Sequence, residues 1–500
     1  MTFRTHRFEE LFTSRRRGLA ALAPIGLGAV VAVIAGLIIA LLSGVYALGL
    51  VFGLIVLGLI LRSIEVGYAA VIAVITLLPF AAVPLPIGFK PTFLDLAVVG
   101  LFAVWLLERA TGKLGRFINT PLSLPVLAFL ALALASFVAG LTYAPLTQTV
   151  ARHFAELILS ILLYFLVTDS VRDADRLRRI TRFILIGGTV AATIALVLYM
   201  LPRATSMDLL SRLRVLGYPE GPGVLRFIND DPSLPQRATG TSIDPNALGG
   251  LLIVLLALGT PQLFAKKPVI HRAGLVLGLG LMALALLFSF SRGSFVGIGV
   301  ALLGLGLMRY RKLLLLIVLV LALILILPQT QAYVTHFFEG VQAQDLSTQM
   351  RLGEYNDSLK LIQRYPVLGV GFTGTPDIDT YLSVANLYLL MTDEMGLVGV
   401  SAFLIVMLVL FVGAWRIRSS VVGRSDLEPI WWGFHAAMIG ALVGGMFDHY
   451  FFNLDFHHSV TLFWLYLGLT AASTRLARQG PDLAGAAAPD EARSSFLFRA

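Results

Sequence analysis

Three arginines lie in polar segments that interrupt long apolar runs, and their chemistry suits an anionic ligand. They are Arg237 in RATGTSIDPNALGGLL, Arg292 in SFSRGSFVGIGVALL and Arg351 in MRLGEYNDSLKLIQRYPVLGVGF. A guanidinium group binds phosphate oxygens through two parallel hydrogen bonds and stays charged at physiological pH. The arginines predict a site for a diphosphate. Ordinary loop solvation and contact with anionic lipid are the alternatives for any one of them.

A histidine beside a carboxylate, Asp448 and His449 in the segment DHYFF, suggests acid–base chemistry. Its aromatic neighbours make a membrane-interface belt an equal alternative. The histidines and aspartates from here to His458 lack the spacing of a zinc site, so we predict no metal. Glu394 lies about 12 Å along a helix from Asn386 and is a further candidate, which would reach the site from within the membrane. The alternative is that Glu394 pairs with another group inside the protein.

Asp244 precedes Pro245, and this pair predicts the N-cap and the first turn of a helix. The free N–H groups at such a helix start bind anions, and they are expected beside Arg237. Asp244 and Asn246 are therefore candidate substrate contacts, with plain helix capping as the alternative. The other predicted substrate contacts, all from the same polar segments, are Arg214, Tyr355, Arg364 and Asn386.

The composition is that of a membrane protein. The 500 residues are 57% hydrophobic and 13% charged, against roughly 45–50% and about 25% in soluble domains. Runs of about 18 or more apolar residues recur, each long enough to cross a ~30 Å hydrocarbon core. The absence of cysteine excludes disulfides and thiol nucleophiles. We predict an all-α, polytopic helical membrane protein.

Hydropathy predicts about fourteen transmembrane helices. With the N-terminus in the cytosol, the inner segments hold 27 of the 38 lysines and arginines, as the positive-inside rule expects. Both termini are then cytoplasmic, and the net charge of +9 reflects topology rather than nucleic-acid binding. The predicted spans are 19–42, 46–61, 66–83, 94–108, 121–141, 150–168, 181–201, 245–264, 273–290, 294–308, 313–328, 386–413, 430–447 and 458–474.

Two larger outer loops, 202–244 and 329–385, are predicted to carry short helices. The segment Arg351–Leu361 in the second loop predicts an amphipathic helix whose apolar face includes Leu352 and Leu359. The predicted parts of the chain are a cytoplasmic N-terminal segment 1–18, transmembrane helices with the first part of the outer loop 19–236, a membrane domain 237–474 and a disordered cytoplasmic tail 475–500.

Taken together, the polar segments resemble those of the O-antigen ligase and O-antigen polymerase-like membrane proteins. The resemblance rests on the three arginine segments quoted above together with NLYLLMTDEMGLVG and LVGGMFDHYFF, in the order and at the spacing of the family. It covers roughly Arg237 to Gly468, and the first 230 residues match only in hydropathy. It implies a membrane-embedded glycosyltransferase of the C type.

The resemblance also implies a reaction of lipopolysaccharide or exopolysaccharide biosynthesis. A glycan on undecaprenyl diphosphate would pass to the hydroxyl of a glycan or of a lipid A-core type acceptor, at the periplasmic face of the bacterial inner membrane. The arginines that bind the diphosphate in the family correspond to Arg237, Arg292 and Arg351. From the leaving-group chemistry we predict inversion and no cofactor or metal. The bilayer and other polysaccharide-assembly proteins are the remaining expected partners.

Ala385 departs from the family pattern. In the ligases a histidine commonly precedes the asparagine that begins the span after the large loop, and here Ala385 precedes Asn386. This difference favours a polymerase over a ligase and leaves the base open among His449, Asp448 and Glu394. Two hypotheses compete with the enzyme: a lipid-linked oligosaccharide flippase or other polytopic transporter, and a non-catalytic scaffold. The absence of internal repeat symmetry disfavours a transporter.

Overall fold

The computed structural model describes residues 62–83, 90–326, 346–374 and 383–479, together with the single residues 58, 331, 335 and 342. Two of the predicted spans, 19–42 and 46–61, lie outside this part except for Gly58, as do the end of 313–328 and most of the tail 475–500. The described part is mostly helical. Its only regular sheet pairs two short strands, β1 (Arg226–Phe227) and β2 (Gln236–Arg237).

Fourteen α-helices occur in the described residues, and two of them belong to the polar loops rather than to predicted spans. They are α1 (Ile64–Leu77), α2 (Phe93–Ala110), α3 (Ser123–Gly140), α4 (Gln148–Ser170), α5 (Ala174–Met200), α6 (Arg203–Ser211), α7 (Pro245–Gly259), α8 (Arg272–Ser289), α9 (Arg292–Met308), α10 (Arg311–Ile326), α11 (Leu346–Arg364), α12 (Leu387–Val421), α13 (Glu428–Gly444) and α14 (His457–Arg478).

The helices agree with the hydropathy pattern. Each of the other twelve predicted spans coincides with one helix, and α6 and α11 are the short helices predicted in the two larger loops. Within the described residues, six helices are long and apolar enough to cross a membrane: α3, α4, α5, α7 with its continuation to Phe264, α8 and α12. The protein is therefore a multi-pass helical membrane protein, and the number of fourteen spans stays a prediction.

Helix α7 occupies the centre of the bundle. Of its most apolar window 89% is buried, against 33–50% in the other five candidate spans. Those helices keep an apolar side exposed, as expected of helices that face lipid. The central helix packs against α8, α9 and α13. Close approach requires glycine at Gly250, because a Cβ there would overlap the ring of Tyr450.

Helix α12 is broken at Gly396, which has φ +66° and ψ −176°. The segment beginning at Pro366 inserts at the break. The Val370 amide donates to the Asp393 carbonyl at 2.7 Å, and the Leu397 amide donates to the Pro366 carbonyl at 2.8 Å. Irregular backbone at membrane depth is stable only when protein groups satisfy it. The predicted turn after Tyr365 therefore serves to anchor the end of α11 in the bundle.

The amphipathic helix predicted in the second loop is present as α11, and its predicted apolar face is only partly buried: Tyr355 packs against the core. Leu352 and Leu359 are about half exposed (51% and 49%). Ser358 and Leu361 are buried instead, and the Ser358 hydroxyl donates to Asp393 Oδ1 at 2.8 Å. Because α12 presents the carboxylate of Asp393 at this contact, a hydroxyl group on α11 packs there better than an apolar side chain. A purely apolar pattern does not predict this.

A buried ion cluster lies at the end of α4 that was predicted to face the cytosol. Asp169 is fully buried and pairs with Arg109 and with Arg172, the latter at 3.0 Å. The indole Nε1 of Trp105 also donates to Asp169, at 2.8 Å. A buried carboxylate of this kind is stable only when it is paired and hydrogen-bonded. Thirteen residues, or about 20 Å of helix, separate Asp169 from Glu156 near the other end of α4.

Candidate active site

The three arginines singled out by their chemistry come together in the structure. Arg237, Arg292 and Arg351 line one cavity that is open to solvent. Asn246 and Asp448, two further predicted site residues, also line it. The five residues come from four separate parts of the chain, so the cavity exists only in the folded protein.

Arg237 is held by the ends of two helices. Its Nε donates to the carbonyl of Ser289, the last residue of α8, at 2.8 Å, and its Nη2 donates to Asn246 Oδ1 at 2.7 Å. A cation is favoured at a helix C-terminus, where carbonyl groups lack intrahelical partners. The backbone is fixed as well, since the Ala238 amide donates to the Phe288 carbonyl at 2.7 Å. These contacts orient the guanidinium before any ligand binds.

The charge of Arg237 is affected by its surroundings. Burial lowers the pKa of Arg237 to about 10, and the positive charges of Arg351 and Arg292 act in the same direction. The carboxylates of Asp244 and Asp448 oppose this shift. With a pKa of about 10, the guanidinium remains charged at neutral pH. The three arginines are thus close enough to repel one another, and a bound anion would relieve that repulsion.

Arg292 stands in the first turn of α9, directly after a tight connection from α8. Phe290, the C-cap residue that follows α8, has φ +51°, a left-handed conformation that is rare for a bulky residue. The Nη2 of Arg292 lies 3.4 Å from the Thr348 hydroxyl of α11. Strained backbone is concentrated at functional sites because the surrounding fold must hold it. The strained turn sets the position of Arg292 at the cavity.

Arg351, in the second turn of α11, is only loosely paired. Its Nη2 lies 3.9 Å from Asp448 Oδ2, and both side chains are mostly buried. A distance of 3.9 Å is longer than a hydrogen bond. The guanidinium can therefore turn toward a ligand in the cavity without breaking a strong contact.

The predicted anion site at the start of α7 is not free. Asp244 caps this helix, as expected, and its Oδ1 accepts from the Asn246 and Ala247 amides at 2.8 and 2.7 Å. Burial raises the pKa of Asp244, the charge of Asp448 adds to this effect, and the amide donors oppose it. Because Asp244 already occupies the first-turn amides, they are unavailable to a substrate anion. The prediction of free N–H groups there was wrong.

His449 lies beside the position where the resemblance led us to expect a histidine. Its Nδ1 is 2.8 Å from the Val384 carbonyl, next to Ala385. A carbonyl oxygen can only accept, so Nδ1 carries the hydrogen and Nε2 is left as an acceptor in the neutral ring. Asn386 caps α12, and its Nδ2 donates to the Met446 carbonyl at 2.9 Å, which joins this segment to the turn that carries His449.

Seven predicted site residues are absent from the cavity lining. Three of them, Asp244, Asn386 and His449, make the backbone contacts described above. The other four lie elsewhere. Arg214 is exposed and pairs with Glu220 at 3.0 Å. Arg364 is an exposed residue at the end of α11, and Tyr355 packs against the hydrophobic core. Glu394 is buried at the break in α12. Arg214, Tyr355 and Arg364 were predicted only from their place in a polar segment, and that place does not determine which way a side chain points.

The cavity also contains residues that sequence reasoning missed. Ser291 and Ser294 flank Arg292 in the quoted motif, and their hydroxyl groups lie 2.8 Å apart. Tyr450 follows His449 in DHYFF, and burial raises the pKa of its hydroxyl, which is therefore a neutral group at physiological pH. Asn229 lies in the left-handed region, with φ +54°. The serines and Tyr450 were visible in the motifs, whereas no local signal identifies Asn229.

Residues 277–404 match the family described as O-antigen ligase. The match includes Arg292 and Arg351 and excludes Arg237, so it is shorter than the resemblance inferred from the motifs. No curated protein matches the chain. The chain thus carries an O-antigen ligase family domain over residues 277–404, which confirms the family prediction.

Proposed function

We propose that this protein transfers a glycan from undecaprenyl diphosphate to an acceptor hydroxyl at the periplasmic face of the bacterial inner membrane. One observation carries the proposal: Arg237, Arg292 and Arg351 line a single cavity whose lining includes one carboxylate, that of Asp448. The excess positive charge complements the two ionised oxygens of a diphosphate diester. The O-antigen ligase domain supports a glycosyltransferase of the ligase or polymerase type.

The arginines would act on the leaving group. As the bond between the anomeric carbon and the diphosphate oxygen breaks, its electron pair passes to that oxygen, and the guanidinium groups stabilise the developing charge. Arg237 has two donors fixed by Ser289 and Asn246. It therefore needs little reorganisation when the charge develops. The arginines supply the positive charge that a divalent ion would otherwise provide, so we propose a metal-independent transfer.

The acceptor hydroxyl would attack the anomeric carbon from the side opposite the diphosphate, so the configuration inverts. His449 is the best candidate for the base, because its Nδ1 contact with the Val384 carbonyl leaves Nε2 free to accept the hydroxyl proton. Asp448 lies 3.9 Å from Arg351, and its Oδ1 accepts from the His449 amide at 2.8 Å, so Asp448 connects the candidate base to the arginine cavity. Neither His449 nor Glu394 lines the cavity, but His449 is half-buried and stands between the lining residues Asp448 and Tyr450. Glu394 is buried in α12 and is a weaker candidate.

Because His449 lies beside Ala385, it would replace the histidine that the ligases commonly have at that position. The Ala385 amide donates to Glu354 Oε2 of α11 at 3.0 Å, so this segment is tied to the helix that carries Arg351. A polymerase and a ligase share this chemistry and differ in the acceptor. No contact among the described residues favours a flippase, which would have to move the same lipid-linked glycan rather than break its bond.

The proposal is tested in cells that lack this gene. They are complemented with the wild type, Arg237→Ala, Arg292→Ala or Arg351→Ala at matched membrane levels, and lipid-linked and finished glycans are analysed. Arg212→Ala is the matched control, because Arg212 is exposed in the 202–244 loop and pairs with Asp208 at 2.8 Å. We expect loss of glycan output with each of the three variants and not with the control.

The intermediate that accumulates distinguishes the two acceptors. Single repeat units on the lipid carrier indicate a polymerase, and finished polymer on the carrier indicates a ligase. Full complementation by all three variants would refute the arginine mechanism and favour a transporter or scaffold.

A further inference from the structure

We propose that a divalent transition-metal ion of the Zn²⁺ class binds between α2, α4 and α14, held by Asp95, Glu156 and His457. The site lies outside the arginine cavity and goes beyond the glycan transfer proposed above. It also departs from the expectation that the chain binds no metal, because its ligands come from three separate helices. Candidate ligand atoms of the three residues lie within 4.8 Å of one another. The ion would connect the N-terminal parts of three helices that are far apart in the sequence.

The distances suit a single ion. His457 Nδ1 lies 3.5 Å from Asp95 Oδ1 and 3.7 Å from Glu156 Oε2. Two ligands of a tetrahedral ion with bonds of about 2.0–2.1 Å are roughly 3.4 Å apart. Both distances exceed the normal range of a hydrogen bond to nitrogen. The imidazole is thus too far from either oxygen for a good hydrogen bond and at about the separation that a shared ion requires.

Each carboxylate has one oxygen engaged elsewhere and one directed at the imidazole. Asp95 Oδ2 accepts from the Thr92 amide at 2.7 Å, as part of the capping box of α2. Glu156 Oε1 lies 3.2 Å from Arg152 Nε, in an ion pair that lacks hydrogen-bond geometry. The two remaining oxygens, Asp95 Oδ1 and Glu156 Oε2, are those that approach His457. Helix capping and ion pairing therefore orient both groups toward one point.

The polar atoms at this point are buried and incompletely satisfied. The His457 side chain is only 10% exposed and that of Glu156 only 5%. Asp95 Oδ1 and both ring nitrogens of His457 have no hydrogen-bond partner among the described residues. Unpaired buried polar atoms are rare in native proteins and call for a specific explanation. A bound ion satisfies Asp95 Oδ1 and His457 Nδ1 at once.

Charge balance points the same way. Asp95 and Glu156 bring two carboxylates together, and Asp455 is 3.5 Å from the neighbouring His153. Arg152 is the cation paired with this group in the described residues. Like charges at this separation destabilise each other, and a divalent cation removes that repulsion. One imidazole nitrogen with two carboxylate oxygens is a donor set for Zn²⁺ rather than for Mg²⁺, which prefers oxygen ligands and water.

The ion would stabilise the turn that reaches the arginine cavity. His457 begins α14, immediately after the segment 445–456 that carries Asp448, His449 and Tyr450. Fixing His457 to α2 and α4 fixes one end of this segment. The ion takes no part in the bond-breaking step. Its effect on transfer is to hold the turn in place.

The test measures metal on the full-length protein in lipid nanodiscs, without glycan substrate. After equilibration with Zn²⁺ and removal of loosely bound metal, we expect about one Zn²⁺ per chain, and chelation should lower the thermal unfolding temperature. Glu156→Gln and His457→Gln should each weaken Zn²⁺ binding by at least about 100-fold, since losing a ligand costs no less than losing a group that orients one. Glu220→Gln, at an exposed loop carboxylate, is the control and should bind Zn²⁺ like the wild type.

The wild-type measurement decides the matter even if a variant fails to fold. Co²⁺ bound in place of Zn²⁺ should show absorption bands of a nitrogen–oxygen site. A wild type that retains no Zn²⁺ after loosely bound metal is removed refutes the proposal, and then the two carboxyl groups share a proton instead. Arg237→Ala should retain the metal, so failure of the glycan-transfer proposal leaves this result unaffected.

Discussion

Replacement of Asn246 by aspartate should make the protein less active and no less stable. Asn246 Oδ1 accepts from Arg237 Nη2 at 2.7 Å at the edge of the arginine cavity. A carboxylate at this position would form an ion pair with Arg237. It would also lie in the first turn of α7, where the helix dipole favours a negative charge. The new pair would neutralise one of the three charges proposed to bind the diphosphate.

The magnitude follows from the charge removed. Two unit charges about 4 Å apart interact with about 4 kcal/mol at the effective dielectric of a protein surface. Cancelling one guanidinium charge should therefore slow transfer by up to about 10³-fold, with 1.4 kcal/mol per factor of ten. Asn246→Ala removes only a hydrogen bond to a charged group, worth about 1.5–3 kcal/mol, and leaves the charge of Arg237 intact. We expect a smaller loss of activity from it, about tenfold.

The assay is transfer by the purified protein in liposomes that contain the lipid-linked glycan, with thermal unfolding measured on the same samples. The expected order of activity is wild type, then Asn246→Ala, then Asn246→Asp. The expected order of stability is Asn246→Asp at least equal to wild type, with Asn246→Ala lowest. If Asn246→Asp transfers glycan as fast as Asn246→Ala, the charge of Arg237 is not needed and the diphosphate-binding argument fails.

Three other perturbations test separate parts of the structure. His449→Gln should reduce turnover by about 10²–10⁴-fold, while lipid-linked glycan still binds. Unchanged turnover would exclude His449 as the base. Gly396→Ala should lower the free energy of unfolding by about 1–3 kcal/mol or more, because φ is +66° at this residue and a Cβ would meet the Val367 carbonyl. Thermal unfolding measures the change. Gly299→Ala is the control, because Gly299 has open space around it. Asp169→Asn should destabilise the protein by about 3–5 kcal/mol, since it removes the buried carboxylate that pairs with two partly buried arginines. An equal effect from Asp208→Asn, at an exposed pair, would contradict this assignment.

The helical membrane architecture was predictable from the sequence because apolar length is a local property. A run of apolar residues must form a helix in a bilayer, since no other single segment satisfies its own backbone there. The same logic located the polar loops and their short helices. It identified the buried side of α11 only in part, because Ser358 is fully buried while Leu359 is about half exposed. That choice depends on Asp393 in another helix, which local periodicity does not include.

The sequence by itself determined which residues carry charge and which segments interrupt the membrane helices, and so it identified Arg237, Arg292 and Arg351 as candidates. Their family motifs are local and could be read directly. Only the tertiary structure decided that the three side chains share one cavity, that Asp244 is occupied by its own helix, and that His449 approaches Ala385. The physical reason is that these relations join residues distant in the chain. Packing of helices brings them together, and no spacing within one segment specifies that packing.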